Sequence, residues 1–294
     1  MLMMKNISIL IPTYNYDCTL LAMQMASQAA ALGIDYEVIV ADDGSTLSET
    51  IAANRAINDM PCCRYMERRV NTGRAAIRNF LAREARYDWL LFSDSDMVVR
   101  RADFMRKYAE SDDCDIIDGG VEIANVKPGN LRGAYEQKHA HEHTVEQRTL
   151  HPYHDFHTAN FLIRREVMLS HPFDERFRRY GYEDVLFGKE IEKHQVSICH
   201  IDNPLSFEVF ETNVEFVNKT EEGLRTLYTF RHELRGYSRL LRRAESLPHY
   251  PILLWHRLMG ALERRNLTGW RPRLWLLNVY KLGYLVSIMH RHQD

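Results

Sequence analysis

Phe92-Ser93-Asp94-Ser95-Asp96-Met97 decides how this chain is read. Two carboxylates, one residue apart, follow Trp89-Leu90-Leu91-Phe92, a short apolar run of the kind that forms a buried strand. Carboxylates at the C-terminal edge of a strand lie where open α/β sheets bind ligands. Such a pair is a hard-oxygen site suited to Mg²⁺ or Mn²⁺, and an ion held by few protein ligands can also grip a diphosphate. Asp-x-Asp taken alone is equally a solvated turn, so the flanking segments carry the decision.

Upstream, Ile7 to Ile11 reads as a first strand and Thr19 to Leu32 as a helix closed by Gly33. A second strand, Tyr36 to Ala41, runs into Asp42-Asp43-Gly44-Ser45-Thr46. Thr46 and Glu49 have capping-box spacing for a helix through about Asp59. Cys62 to Arg68 is a third strand, Arg74 to about Arg86 a helix opened by Asn71-Thr72-Gly73, and Asp88 to Phe92 the fourth strand. A short helix near 102–110 and a strand from Asp115 to Asp118 follow. Strands alternating with helices imply parallel pairing through right-handed crossovers. The predicted fold class is therefore α/β, a Rossmann-like, mostly parallel central sheet flanked by helices, over residues 1–224.

Downstream, Val121 to His157 reads as irregular and holds six histidines: His139, His141, His143, His151, His154 and His157. Ala159 to Ile163 is a strand, Gly181-Tyr182-Glu183-Asp184 opens a helix to about Lys193, and Val196 to Ile201 is the last strand of the domain. From Asn213 the pattern is helical and broken at Pro248, Pro251 and Pro272. Residues 225–294 form a helical extension.

The chain has 294 residues, 45% of them hydrophobic and 11% aromatic, enough for a sizeable core. Its five cysteines include no Cys-x-x-Cys pair, and their odd number argues against a full disulfide framework, so a reducing, cytoplasmic setting is expected. The apolar run near the start is too short to span a membrane and lacks a cleavage site, so it is read as a strand. The net charge of −2 conceals a split: residues 225–294 hold 13 Lys and Arg against four Asp and Glu, a balance of +9, which leaves −11 for residues 1–224. Arginines interleave there with Trp255, Trp270, Trp275 and Tyr280. That pattern suits an anionic membrane surface, and equally packing on the acidic domain or on a second subunit. No nucleic-acid-binding motif accompanies it, so nucleic acid is not an expected partner.

Three strand ends converge in such a sheet: Pro12-Thr13-Tyr14-Asn15, Asp42-Asp43-Gly44-Ser45 and Asp94-Ser95-Asp96. Neither a dinucleotide glycine fingerprint nor a P-loop is present. The carboxylate of Asp43 suits a base N–H, a uracil included. The motifs Ile-Pro-Thr-Tyr-Asn, Val-Ala-Asp-Asp-Gly-Ser-Thr, Asn-Thr-Gly-Arg-Ala-Ala-Ile-Arg-Asn, Asp-Ser-Asp and Gly-Tyr-Glu-Asp occur in this order. Together they resemble the inverting family 2 glycosyltransferases of the GT-A fold, over about residues 5–225, of the type that serves bacterial surface-polysaccharide assembly.

The resemblance implies sugar transfer from a nucleotide-diphosphate donor, with UDP favoured through Asp43, to a glycan or lipid-linked saccharide acceptor. Pro12, Tyr14, Asp43, Arg74 and Asp94 would hold the nucleotide. Asp96 with Asp94 would bind Mn²⁺ or Mg²⁺. Asp184 would be the general base and Glu183 would orient the acceptor hydroxyl. His157, Asn160 and Tyr182 are expected at the acceptor. Arg78 is read as a structural residue on a solvated helix face, and the histidines as shaping the acceptor pocket. The chain departs from the family pattern at Phe207, where many relatives carry a histidine able to ligate a metal; His200 or Glu208 would substitute, or the diphosphate and water would complete the shell. The expected setting is cytoplasmic, at the inner face of a membrane, with a homodimer also admitted. A nucleotidyltransferase and a non-catalytic nucleotide-sugar-binding relative with a degraded metal site remain as alternatives.

Overall fold

The computed structural model describes residues 4–111, 114–154 and 156–291. The first half alternates as expected: β1 (Asn6–Thr13), α1 (Thr19–Leu32), β2 (Asp35–Asp42), α2 (Ser48–Arg55), β3 (Cys63–Glu67), α3 (Arg74–Glu84) and β4 (Trp89–Ser93). There follow β5 (Met97–Val98), α4 (Phe104–Ala109), β6 (Ile116–Asp118) and β7 (Val121–Ile123). The segment read as irregular folds into β7, α5 (Leu131–His139) and α6 (Val145–Leu150). Beyond it lie β8 (Asn160–Arg164), α7 (Arg165–Ser170), α8 (Glu183–Lys193), β9 (Ile198–His200) and β10 (Leu205–Phe207). The chain ends in α9 (Asn213–Thr229), α10 (Arg239–Ser246), α11 (His249–Leu267) and α12 (Leu274–Arg291).

The main sheet has the order β3-β2-β1-β4-β8-β6-β9, and a small one has the order β5-β10-β7. β1, β2, β3 and β4 are parallel, whereas β8 runs antiparallel to both β4 and β6. The excursion through residues 124–159 returns the chain to the edge it left, with Asn160 opposite Ser93, so the strand re-enters the sheet running backwards. Helix–strand alternation alone could not reveal that reversal.

The pleat divides the apolar strand residues between two cores. Ile7, Ile9, Ile11, Val38, Val40 and Leu91 pack under α1 and α4. Leu10, Ile39, Phe92 and Phe161 pack on the other face with α3, α8 and residues of the C-terminal helices, among them Leu241, Leu285 and Val286. The extension thus shares the core of the sheet, and the boundary expected after residue 224 falls inside α9. Two local expectations fail. Pro251 sits in the first turn of α11, where a missing N–H costs nothing. α2 begins at Ser48 with no side-chain cap, because Thr46 is held by Asn15. One disulfide, Cys114–Cys199, is present, with the Cα atoms 6.0 Å apart.

Candidate active site

Strand order reverses between β1 and β4, which opens a crevice at the carboxyl edge of the sheet. Three loops meet there and are tied by side chains. Asn15 joins the first two: its backbone N–H donates to Ser45 Oγ at 2.7 Å, and its Oδ1 accepts the Thr46 and Leu47 N–H groups at 2.7 and 3.0 Å. Asp43 joins the second to the third. Its Oδ2 accepts the Thr72 and Gly73 N–H groups at 3.0 and 2.8 Å, and its Oδ1 accepts from Thr72 Oγ1 at 2.9 Å and from Arg68 at 3.3 Å. Those four bonds fix the orientation of the carboxylate, which still lines the nucleotide cavity. Asp43 acts on the site by fixing the turn from which Arg74 projects. Gly44 is pressed against that turn: at φ +77° a Cβ would lie 2.7 Å from the Asn71 nitrogen. Its neighbour Asp42 is structural, accepting the Ser45 N–H at 2.6 Å and the Tyr65 hydroxyl.

Pro12, Tyr14, Asp43, Arg74, Asp94 and Asp96 line one cavity of about 470 Å³, which brings together every residue expected at the nucleotide. A second cavity of about 370 Å³ shares Arg74, Asp94 and Asp96 and continues to His157 and Asp184. A third, of about 330 Å³, lies beyond Asp184 and includes Tyr182 and Glu183. Gly181 and Tyr182, both left-handed at φ 96° and 71°, make the sharp turn that puts Asp184 in the first turn of α8. Asp184 Oδ1 accepts the Val185 N–H at 2.8 Å.

Arg78 corrects the sequence reading. It is 1% exposed, donates to Asp94 Oδ1 at 2.6 Å and lies 3.8 Å from Glu183 Oε1. It therefore spans the two ends of the site. Its signal was the helix face: Arg78 is flanked by Ala75, Ala76, Ile77 and Leu81, all buried. Glu183 turns inward toward Arg78 and is 5% exposed. Burial and then Asp184 push its carboxyl up, against Arg74 and Arg78. Asn160 is a second correction: it is fully buried, accepts from the Tyr108 hydroxyl at 2.8 Å and donates to the Gly120 and Asn203 carbonyls at 2.8 and 2.9 Å. Its place at the end of β8 points it into the fold, so it cannot meet an acceptor.

The Asp94–Asp96 pair fits a divalent ion. Burial and then Asp94 push the Asp96 carboxyl up, with Arg74 and Lys219 opposing, the signature of two carboxylates crowded into one cavity. Mg²⁺ and Mn²⁺ are commonly held by one or two carboxylates, with substrate phosphates completing the shell. Among the described residues no group of three His, Cys, Asp or Glu side chains is placed to hold a metal. Neither substitute for Phe207 reaches the pair: His200 bonds Asp118 at 2.9 Å and the Pro152 carbonyl at 3.1 Å, and Glu208 is engaged by Arg100 and Asn125. Phe207 instead lines the middle cavity under the Arg132 guanidinium, 5.6 Å from its ring centre.

The sequence profile described as Glycosyl transferase family 2 matches residues 8–170. Similar solved structures include S. aureus TarS, residues 1–349, at 15% identity over 98% of this chain and 92% of that one, with a TM-score of 0.53. The same protein in complex with UDP-GlcNAc gives 0.51. The mannosyltransferase PcManGT from Pyrobaculum calidifontis, in complex with GDP-Man and Mn²⁺, gives 13% identity over 98% and 86% of the two chains and a TM-score of 0.52. None of the curated proteins compared matches the chain. At such identities the likeness speaks for the fold, while the profile, which takes in β1 to β8 and more than half of the chain, speaks for descent. The chain belongs to glycosyl transferase family 2, and is a glycosyltransferase built on the GT-A fold.

Proposed function

We propose that the protein moves a sugar from a nucleoside diphosphate donor to a hydroxyl of a glycan or lipid-linked acceptor, with inversion, and that Asp184 takes the hydroxyl proton. The observation that carries this reading is one cavity lined by both Asp96 and Asp184. In the reaction the acceptor oxygen bonds to the anomeric carbon as the bond to the diphosphate oxygen breaks. The electron pair leaves with the diphosphate, and the proton goes to Asp184. The Asp184 oxygen not bonded to Val185 is the one to receive the proton. Pro12, Tyr14 and Arg74 would hold the nucleotide, with Asp43 setting the position of Arg74. Asp94 and Asp96 would hold Mn²⁺ or Mg²⁺, which when bound neutralises charge on the leaving diphosphate. Arg74 and Lys219 add fixed positive charge beside them. His157 and Tyr182 would face the acceptor. The test is nucleotide release from UDP-, GDP- and dTDP-sugars, with Mn²⁺ and with EDTA. Metal-supported release from one donor class is expected; binding of none of the nucleotides would overturn the reading.

We also infer that the C-terminal helices rest on an anionic membrane surface. Tyr250, Leu254, Leu258 and Leu262 recur every fourth residue along α11 and are 78, 47, 67 and 56% exposed, so they form one apolar stripe. Trp255, Trp270 and Trp275 are exposed as well, and so are Arg257, Arg265 and Arg271 in the same stretch of chain. Aromatic rings beside guanidinium groups match the chemistry of an anionic headgroup layer. Among the described residues no helix is long and apolar enough to cross a membrane.

A further inference from the structure

The cleft beyond Asp184 is lined by four cations and two carboxylates. Arg74, Arg132, Lys219 and Lys281 line it against Glu183 and Asp184. Three of these cations have counter-ions. Arg132 meets Glu136 at 2.6 Å, Lys219 meets Glu211 at 3.2 Å, and Arg74 faces Asp94 and Glu183. Lys281 is held least closely: among the described residues it makes no hydrogen bond or ion pair, Glu136 acts on it only from a distance, and its ammonium stands 4.9 Å from the Tyr135 ring centre. Burial and then the charge of Arg132 push its pKa down, with Glu136 opposing. An ammonium partly withdrawn from water beside a second cation is favoured by an anion that joins it. Gly181 and Gly223 line the same cleft and leave part of its wall free of side chains.

We propose that the acceptor carries a phosphate or phosphodiester, and that this oxyanion sits in the cleft with Lys281 as its principal ligand and Arg132 and Lys219 beside it. A hydroxyl next to the phosphate then lies at Asp184, on the wall shared with the catalytic cavity. The proposal rests on the transferase reading given above. It also gives the C-terminal helices a part in acceptor choice, since Lys281 belongs to α12.

The test is calorimetric titration of inorganic phosphate into the full chain, first saturated with UDP so that the nucleotide cavity is filled. Phosphate binding is expected, weakened about tenfold or more in Lys281→Met and restored in Lys281→Arg, with UDP affinity unchanged in both, because a charge-assisted contact is lost and regained. Melting curves confirm that each variant is folded, and Lys281→Gln serves if Lys281→Met is not. Phosphate that fails to bind, that competes with UDP, or that binds Lys281→Met as it binds the parent overturns the proposal. Failure of UDP itself to bind would count against the donor reading. Phosphate titrated without UDP still reports on the cleft through its dependence on Lys281.

Discussion

Asp184→Asn tests the base most directly. The amide keeps the bond to the Val185 N–H but cannot take a proton, so kcat should fall by roughly 10²–10⁴-fold. UDP affinity, read by calorimetry, should not change; turnover at the parental rate would refute the assignment. Arg78→Met removes the guanidinium shared by Asp94 and Glu183 and leaves a buried carboxylate whose Oε2 already lacks a partner. Breaking such a pair costs about 3–5 kcal/mol, to be read by urea denaturation. Residue by residue, Pro12, Tyr14, Arg74, Asp94, Asp96 and Asp184 belong to the ordered motifs and line the two cavities, because each sits next to a strand end or helix start; His157, expected from its loop, lines the second cavity too. Arg78 and Asn160 could not, because their positions depend on partners far along the chain: Glu183 for one, Tyr108 and Asn203 for the other.

Elements were legible where apolar residues repeat with a clear period, and obscure where they do not. α5 and α6 bury few apolar side chains, yet both carry start signals: Asn130 accepts the Gly133 N–H at 2.7 Å and Thr144 accepts the Gln147 N–H at 3.4 Å. Gly44 marks a tight turn at the site. Gly44→Ala should lower stability by about 1–3 kcal/mol, since φ +77° is strained for alanine and its methyl group would strike backbone. At the C-terminus, deleting residues 225–294 would strip the core, so membrane contact must be tested with surface substitutions. Vesicles containing phosphatidylserine should float with the parent chain and not with the Leu254→Gln/Leu258→Gln double variant. Vesicles of phosphatidylcholine alone should carry neither. A parent chain that stays off anionic vesicles and sediments as a dimer would assign the stripe to a second copy.

At the scale of the whole molecule, one buried ionic cluster holds the histidine-rich segment on the sheet. Arg148, 2% exposed, pairs with Asp118 at 3.1 Å and donates to the carbonyls of His143, Asp118 and Ile201. Burial opposes the ionised form of Asp118, but the hydrogen bond from His200 and the charge of Arg148 outweigh it and hold the carboxyl below its ordinary value. A depressed folded-state pKa stabilises the fold above the unfolded value near ~3.9, and that contribution is lost as the pH falls through the folded value. Asp118→Asn should therefore cost about 3–5 kcal/mol at neutral pH and flatten the acid limb of the stability curve; an unchanged limb would exclude Asp118 as its source.

The chain's local pattern was enough to establish alternating strands and helices, two buried faces, and loops that bring three motifs to one sheet edge. Periodicity and turn chemistry act over a few residues, and their effect survives in any surroundings. Long-range contacts settled the rest: the backward course of β8, the inward turn of Asn160, the span of Arg78 from Asp94 to Glu183, and the arrival of Lys281 in the cleft that Asp184 also lines. Each depends on which polar groups lose water together, and that is decided only when distant segments pack.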